Sequence, residues 1–210
     1  MIVVFYAAAI AVLFLIIAAA LAARNRGHRK FKDAWRAFAG LHGLTYHDAP
    51  GKYDWPRLEG NYGGVPVSMR VQTGGVRVRT FSPLYEAKFA LPLPDGMRFE
   101  HPRTSFGRPT WSTATGDPEL DKAVRIGVKN PADAALLAEN RGLRDAVLAF
   151  FRECGKSLPA VSSGGASILG LPEEKDPQTL LARLESLRKF VLAVDEAVSR
   201  SSFSGGTTGR

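Results

Sequence analysis

The sequence has little of the chemistry that marks a metal site or a disulfide framework. Its 210 residues include one cysteine, Cys154, and four histidines. A single thiol excludes an intrachain disulfide, which fits a reducing compartment. No paired Cys or His spacing of a zinc site is present, and the five-residue separation of His42 and His47 suits neither a helix face nor a strand face. We therefore predict no metal and no cofactor.

Motifs for nucleophilic catalysis and for phosphate binding are also missing. There is no Gly-x-Ser-x-Gly at a strand-to-helix turn, and the glycine-rich residues 162–165 lack the lysine of a phosphate loop. We predict no catalytic residue for the favoured function. The alternative function is a membrane-anchored hydrolase, which would use Asp117, Asp121 and His47 as its acid–base groups.

Charge is absent from the first part of the chain. Ile2–Ala23 is a run of 22 uncharged residues. As a helix this run would be about 33 Å long, enough to cross a hydrocarbon core of about 30 Å. We therefore predict a transmembrane helix over residues 1–23. A cleaved signal peptide is the rival, because small residues precede Arg24, but no basic residue precedes the run and it exceeds the usual length of about 7–15 residues.

A block of basic residues follows the uncharged run and explains most of the net charge of +8. Its members are Arg24, Arg26, Arg29, Lys30 and Lys32. Such a block marks the cytoplasmic end of a membrane helix and attracts anionic lipid headgroups. The later part of the chain carries only +3. We therefore predict a single-pass protein of a bacterial inner membrane with its C-terminal domain in the cytoplasm, membrane lipid as a partner, and no nucleic acid partner.

The fold predicted for the rest is α+β, an antiparallel sheet with helices packed on one side. Residues 24–43 continue as a basic, amphipathic juxtamembrane helix, and residues 44–198 form the cytoplasmic domain. Alternating apolar and polar residues predict strands at 65–71, 76–81, 85–91 and 97–100, arranged as a meander, and another at 123–128. The alternation places Arg70, Arg77 and Arg79 on one outer face, a candidate surface for lipid or for a protein partner.

Helix signals dominate the second half of the chain. Asn130-Pro131 and Asp176-Pro177 each place a capping side chain before a proline, the usual start of a helix. The first helix is predicted to break at residues 140–142 and a second to follow, and residues 158–169 read as a hairpin. The last helix has an apolar stripe wide enough to lie on a sheet. Residues 199–210 are predicted to be a flexible tail.

The stretch GDPELD, residues 116–121, is acidic enough to suggest a calcium loop, but the spacing does not fit one. Counted from Asp117, an EF-type loop needs Gly at position 6 and Glu at position 12, where this chain has Lys122 and Val128. A structural turn explains the stretch better. Gly116 allows an unusual backbone angle, Asp117 caps the following amides, Pro118 starts a helical turn, and Asp121 precedes the next strand.

The GDPELD motif also carries a resemblance. Together with DWPRLEGNYGGVPV, residues 54–67, and the order of the later elements, it resembles a group of uncharacterised bacterial membrane-anchored proteins with a Gly-Asp-x-x-aromatic-Asp motif. Here the aromatic position is Leu120. The resemblance implies an amino-terminal membrane segment and no particular activity. The function we predict is therefore a membrane-tethered binding or scaffold module of unknown ligand and unknown oligomeric state.

Overall fold

The computed structural model describes residues 29–49, 55–74, 80–102, 112–171 and 176–200. Within these ranges the chain has an α+β fold with one eight-stranded antiparallel sheet. No helix in the described ranges is long and apolar enough to cross a membrane. The predicted transmembrane helix over 1–23 lies outside them.

The elements follow one another along the chain in this order. Helix α1 covers residues 29–42. The strands and helices after it are β1 (Thr45–His47), β2 (Arg57–Tyr62), β3 (Val65–Gly74), β4 (Thr80–Lys88), β5 (Arg98–Glu100), α2 (Pro118–Ala123), β6 (Arg125–Gly127), α3 (Pro131–Glu139), α4 (Arg141–Glu153), β7 (Leu158–Ser162), β8 (Gly165–Leu169) and α5 (Pro177–Arg200).

The strand order in the sheet is β1-β2-β3-β4-β8-β7-β5-β6. The predicted meander is therefore correct only through β4, because the β7–β8 hairpin lies between β4 and β5. β4 pairs with β8 from Leu84 opposite Leu169 to Lys88 opposite Gly165. β5 pairs with β7 through Phe99 opposite Val161. The hairpin that is last in sequence is thus central in the sheet.

Several element boundaries differ from the predicted ones. β4 joins the end of the predicted strand 76–81 to most of 85–91 in one strand, although residues 75–79 lie outside the described ranges. α2 extends to Ala123, so β6 begins only at Arg125. α5 continues to Arg200, so Ser199 and Arg200 belong to the helix and not to the predicted tail. Residues 201–210 lie outside the described ranges.

The core lies between one face of the sheet and the helices. Each strand sends alternate side chains to the core, among them Leu58, Met69, Tyr85, Phe99 and Ile168, all essentially without exposed surface. α5 covers this face through contacts with β3, β4 and β8, and α4 packs on α5. The rings of Phe150 on α4 and Phe190 on α5 stack with centroids 4.2 Å apart.

Capping side chains begin α3 and α5 at the predicted places, and Asn140, within the predicted break, caps α4. Asn130 accepts a hydrogen bond from the Ala132 amide, Asn140 from the Leu143 amide, and Asp176 from the Thr179 amide. Each cap satisfies an amide that the first turn of a helix leaves without an intrahelical partner. The break between α3 and α4 thus falls at Asn140, the residue that caps the second helix.

α1 is bound to the sheet through aromatic rings. Trp35 and Phe38 are buried, at 0% and 2% exposure. Phe31 contacts the rings of Trp35 and Trp55, at centroid distances of 4.8 and 4.9 Å, and Trp55 contacts Phe81 at 5.2 Å. α1 is therefore a packed part of the domain.

A close approach between β4 and β8 depends on a glycine. A Cβ atom built on Gly165 would lie 2.3 Å from the Ala87 carbonyl oxygen, well inside van der Waals contact. We expect Gly165→Ala to cost on the order of 1–3 kcal/mol, the usual range for overpacking a fitted site. Thermal melting of the purified chain should then show a melting temperature lower by about 2–4 °C for each kcal/mol lost.

The neighbouring glycine provides a matched control. A Cβ atom on Gly164 would meet nothing within 4 Å. Gly164→Ala should therefore change the melting temperature by little. Equal effects of the two substitutions would contradict the close packing of β8 against β4.

Candidate functional site

The sheet face opposite the helices carries a concave surface. Side chains that alternate with the core residues point to this face. It holds a trough of about 700 Å³ that reaches from β2 to β5. The core cluster draws its strand residues from the other face. The trough is therefore a surface that the described elements build and leave uncovered.

Small side chains form the floor of the trough. On β8 these are Gly165 and Ser167, and on β7 they are Ala160 and Ser162. The Ser167 hydroxyl donates to the Ala160 carbonyl at 3.4 Å, and the Ser162 hydroxyl donates to the Gly165 carbonyl at 3.4 Å. The two central strands thus present short side chains, two of them with hydroxyl groups, to solvent.

Longer charged side chains form the two walls. On one side β4 contributes Glu86 and Lys88, and on the other β5 contributes Arg98 and Glu100. The register places Glu86 opposite Ser167, Ser167 opposite Ala160, and Ala160 opposite Glu100. One row of residues therefore crosses the trough from wall to wall. Three strand spacings of about 4.8 Å separate the walls, which places them about 14 Å apart.

Ion pairs lie beyond the β4 wall, where residues of β2 and β3 continue the lining of the trough. Glu59 lies 3.1 Å from Arg57 Nη2 and 2.7 Å from His47 Nε2. Glu86 accepts from the Ser68 hydroxyl at 3.2 Å and lies 3.3 Å from Arg70 Nη2. Two of the three glutamates that line the trough are thus already paired.

Lys88 and Glu100 differ from those glutamates. Both line the trough, yet among the described residues neither has an ion-pair partner. Lys88 is exposed and Glu100 is half-buried. A ligand in the trough could therefore reach the positive charge of Lys88 on one wall and, on the other, the negative charge of Glu100, which lies opposite Arg125 of β6.

The predicted arginine surface is only partly described. Arg70 lies on the open face and pairs with Glu86, so its charge is partly neutralised. Arg77 and Arg79 lie outside the described ranges. The sequence thus placed Arg70 correctly on an outward face, but as part of a basic surface rather than of a trough with charges of both signs.

The basic juxtamembrane block is also partly described. Arg24 and Arg26 lie outside the described ranges. Arg29 and Lys30 are exposed on the first turn of α1 that the structure describes. Lys32 instead donates to Asp48 at 3.2 Å, so it contributes to the contact between α1 and the end of β1.

The GDPELD stretch forms a capped turn. Gly116 has a φ of 85°, a backbone conformation that suits glycine. Asp117 accepts from the amides of Glu119 and Leu120 at 2.9 and 3.1 Å, with Pro118 as the first residue of α2. Asp121 accepts from the Thr115 amide and hydroxyl, both at 2.9 Å. Its carboxylate therefore closes the turn.

Arg144 of α4 adds an ionic contact that the sequence analysis did not include. Its Nε donates to Asp117, and its Nη2 donates to Glu119 at 2.7 Å. The hydrogen bond from Arg144, followed by that from the Leu120 amide, lowers the pKa of Asp117 below its usual value. The same carboxylates raise the pKa of Arg144 further. Asp117 therefore joins α2 to α4 in addition to capping α2.

The residues of the alternative hydrolase are not brought together. His47 lies on β1 at one edge of the sheet, whereas α2, which carries Asp121, follows β5 and contacts β6 at the opposite edge. Seven strand spacings separate these edges, and both aspartates already accept backbone hydrogen bonds. Within the described ranges, no group of three or more His, Cys, Asp or Glu residues is arranged to hold a metal ion.

Comparison with known proteins adds information about the fold alone. No protein-family model matches the chain, and no curated protein does. The chain is similar to the crystal structure of the mycobacterial trehalose monomycolate transport factor A, TtfA, with a TM-score of 0.52 and 12% sequence identity. The match covers 79% of this chain and 95% of that chain. At this identity it indicates a shared fold.

The Asp117 contacts generate a prediction about stability. Asp117→Asn keeps an acceptor for the cap but loses the charge that binds Arg144, and Asp117→Ala loses both. We expect the melting temperature to fall in the order wild type, Asn variant, Ala variant. Because folding lowers the pKa of Asp117, its ionic contribution is present above the ordinary aspartate pKa of about 3.9 and is lost as the pH falls through the lower folded value.

The difference in melting temperature between wild type and Asp117→Asn should therefore be largest near pH 7 and should shrink below pH of about 4. Asp33→Asn is the control. The Asp33 side chain is 71% exposed, and it pairs with Arg36 on the same helix. A difference for Asp117→Asn that stays constant with pH would contradict the ionic contact with Arg144.

Proposed function

We propose that this chain is a membrane-tethered binding module whose ligand occupies the trough on the open face of the sheet. The observation that supports this most directly is the asymmetry of the sheet. One face is covered by α5, while the other holds a trough of about 700 Å³ that carries charged side chains on both walls. Concave surfaces with a few convergent polar groups are the default places for ligands.

The tether is proposed from the sequence. An uncharged run of 22 residues followed by five basic residues within nine is typical of a membrane helix with its following domain in the cytoplasm. We propose that the membrane is a bacterial inner membrane, in keeping with the resemblance to uncharacterised membrane-anchored proteins. The exposed basic residues at the start of α1 would then lie at the lipid surface.

The similar structure is compatible with this proposal. TtfA is named as a trehalose monomycolate transport factor, so a related fold takes part in the transport of a lipid in that protein. For this chain we propose a more general role than transport, namely the binding of a ligand beside a membrane.

The tether can be tested by washing membranes that contain the full chain with alkaline carbonate. We expect the chain to remain in the pellet, because a transmembrane helix resists this treatment. A reporter that is active only in the cytoplasm, fused after Arg210, should be active. Full release of the chain, or a mature terminus near Arg24, would contradict the tether. Reporter activity confined to the other side would contradict the orientation.

The trough can be tested by site-specific photocrosslinking in cells. A photoreactive residue replaces Ser162, which is exposed on the trough floor, and the control replaces Leu192, which is 42% exposed on the helical side. We expect a light-dependent adduct at position 162 and none, or a much weaker one, at position 192. Equal yields at the two positions, or no adduct at 162, would contradict a binding role for the open face.

A further inference from the structure

The positions of Lys88 and Glu100 in the trough limit which kind of ligand can contact both. Lys88 projects from the β4 wall and Glu100 from the β5 wall. The register places Lys88 opposite Gly165, whereas Glu100 is opposite Ala160, which lies in the next row of the open face. The backbone positions of the two residues are therefore about 14 Å apart across the strands and about 7 Å apart along them, or about 16 Å in all.

This separation argues against a single lipid headgroup. A zwitterionic headgroup carries its opposite charges only an ethanolamine or choline unit apart, far less than the distance between Lys88 and Glu100. An acyl chain needs a continuous apolar surface, whereas the described side chains directed into the trough place charged groups along both walls. Among the residues that the structure describes, no aromatic side chain lines the trough to stack on a sugar ring.

A polypeptide fits the separation, and a helix fits it better than an extended segment. β4, β8, β7 and β5 are already paired with one another, so an extended segment on this face would find no strand edge to bind. Its own backbone groups would lose water without gaining partners. A helix satisfies its backbone internally, and its diameter of about 10–12 Å is smaller than the separation of about 14 Å between the two wall strands.

We infer that the trough binds a helix of a partner protein, which places an acidic side chain against Lys88 and a basic side chain against Glu100. This inference rests on the proposed function, since it names the ligand of the same trough. The helix axis lies along β7 and β8, where the small floor residues allow a close approach. The 7 Å offset along the strands corresponds to about five helical residues, and residues five apart project to nearly opposite sides of a helix.

The experiment adds charge reversal to crosslinking from position 162 of the full chain in cells. The reversals are Lys88→Glu and Glu100→Lys. The controls are Lys122→Glu and Glu139→Lys, which make the same changes at exposed positions on α2 and α3. We expect each reversal in the trough to lower the yield of the protein adduct about tenfold or more, because like charges meet, while the controls leave the yield unchanged.

The identity of the crosslinked material shows whether the ligand is a helix of a protein. The crosslinked peptide should lie in a helical segment with an acidic and a basic residue about five positions apart. An adduct that is extracted with lipids, or a protein adduct that survives both reversals, would overturn the helix inference and leave the binding role intact. Failure of position 162 to crosslink at all would instead contradict the proposed function. If a charge reversal prevents folding, Lys88→Gln replaces it. This variant should lower the yield of the protein adduct by a smaller factor.

Discussion

The alternation of side chains along eight paired strands is the constraint on which the rest of this structure depends. Because successive residues point to opposite faces, the register that buries Met69, Tyr85 and Ile168 also places Ser68, Glu86 and Ser167 on the open face. A shift by one residue in any central strand would exchange the two sets. The core and the trough are therefore fixed by the same pairings, and neither can change without the other.

Most elements could be predicted from the sequence, because their signals are local. Asn130, Asn140 and Asp176 cap helices three residues or fewer away, and the alternation in β3 lies within a single stretch of chain. The order of the strands could not be predicted in the same way. Nothing local in β4 indicates that its second neighbour is β8, about 80 residues later, and the fit of Gly165 against Ala87 emerges only from that pairing.

The candidate site could not be predicted from the sequence for a related reason. Its floor is made of Ser162, Gly165 and Ser167, residues that also suit an ordinary hairpin, and its walls come from strands distant in sequence. The signal available was the small side chains at positions 160, 162, 165 and 167, which alternate with buried residues, although Leu158 and Leu169 occupy the next outward positions. Arg144 was missed because it lies 27 residues from Asp117, so the turn could be predicted while its contact with α4 could not.

The aromatic contacts of α1 connect the fold to the proposed tether. Phe31, Trp55 and Phe81 join the start of α1 to residues just before β2 and near the start of β4. If the chain enters α1 directly from a membrane helix, these contacts hold the strands at a fixed orientation to the bilayer rather than on a loose linker. The trough lies on the face of the sheet opposite α5. A partner anchored in the same membrane would reach it at high effective concentration, so a trough with few available charges could still select its partner.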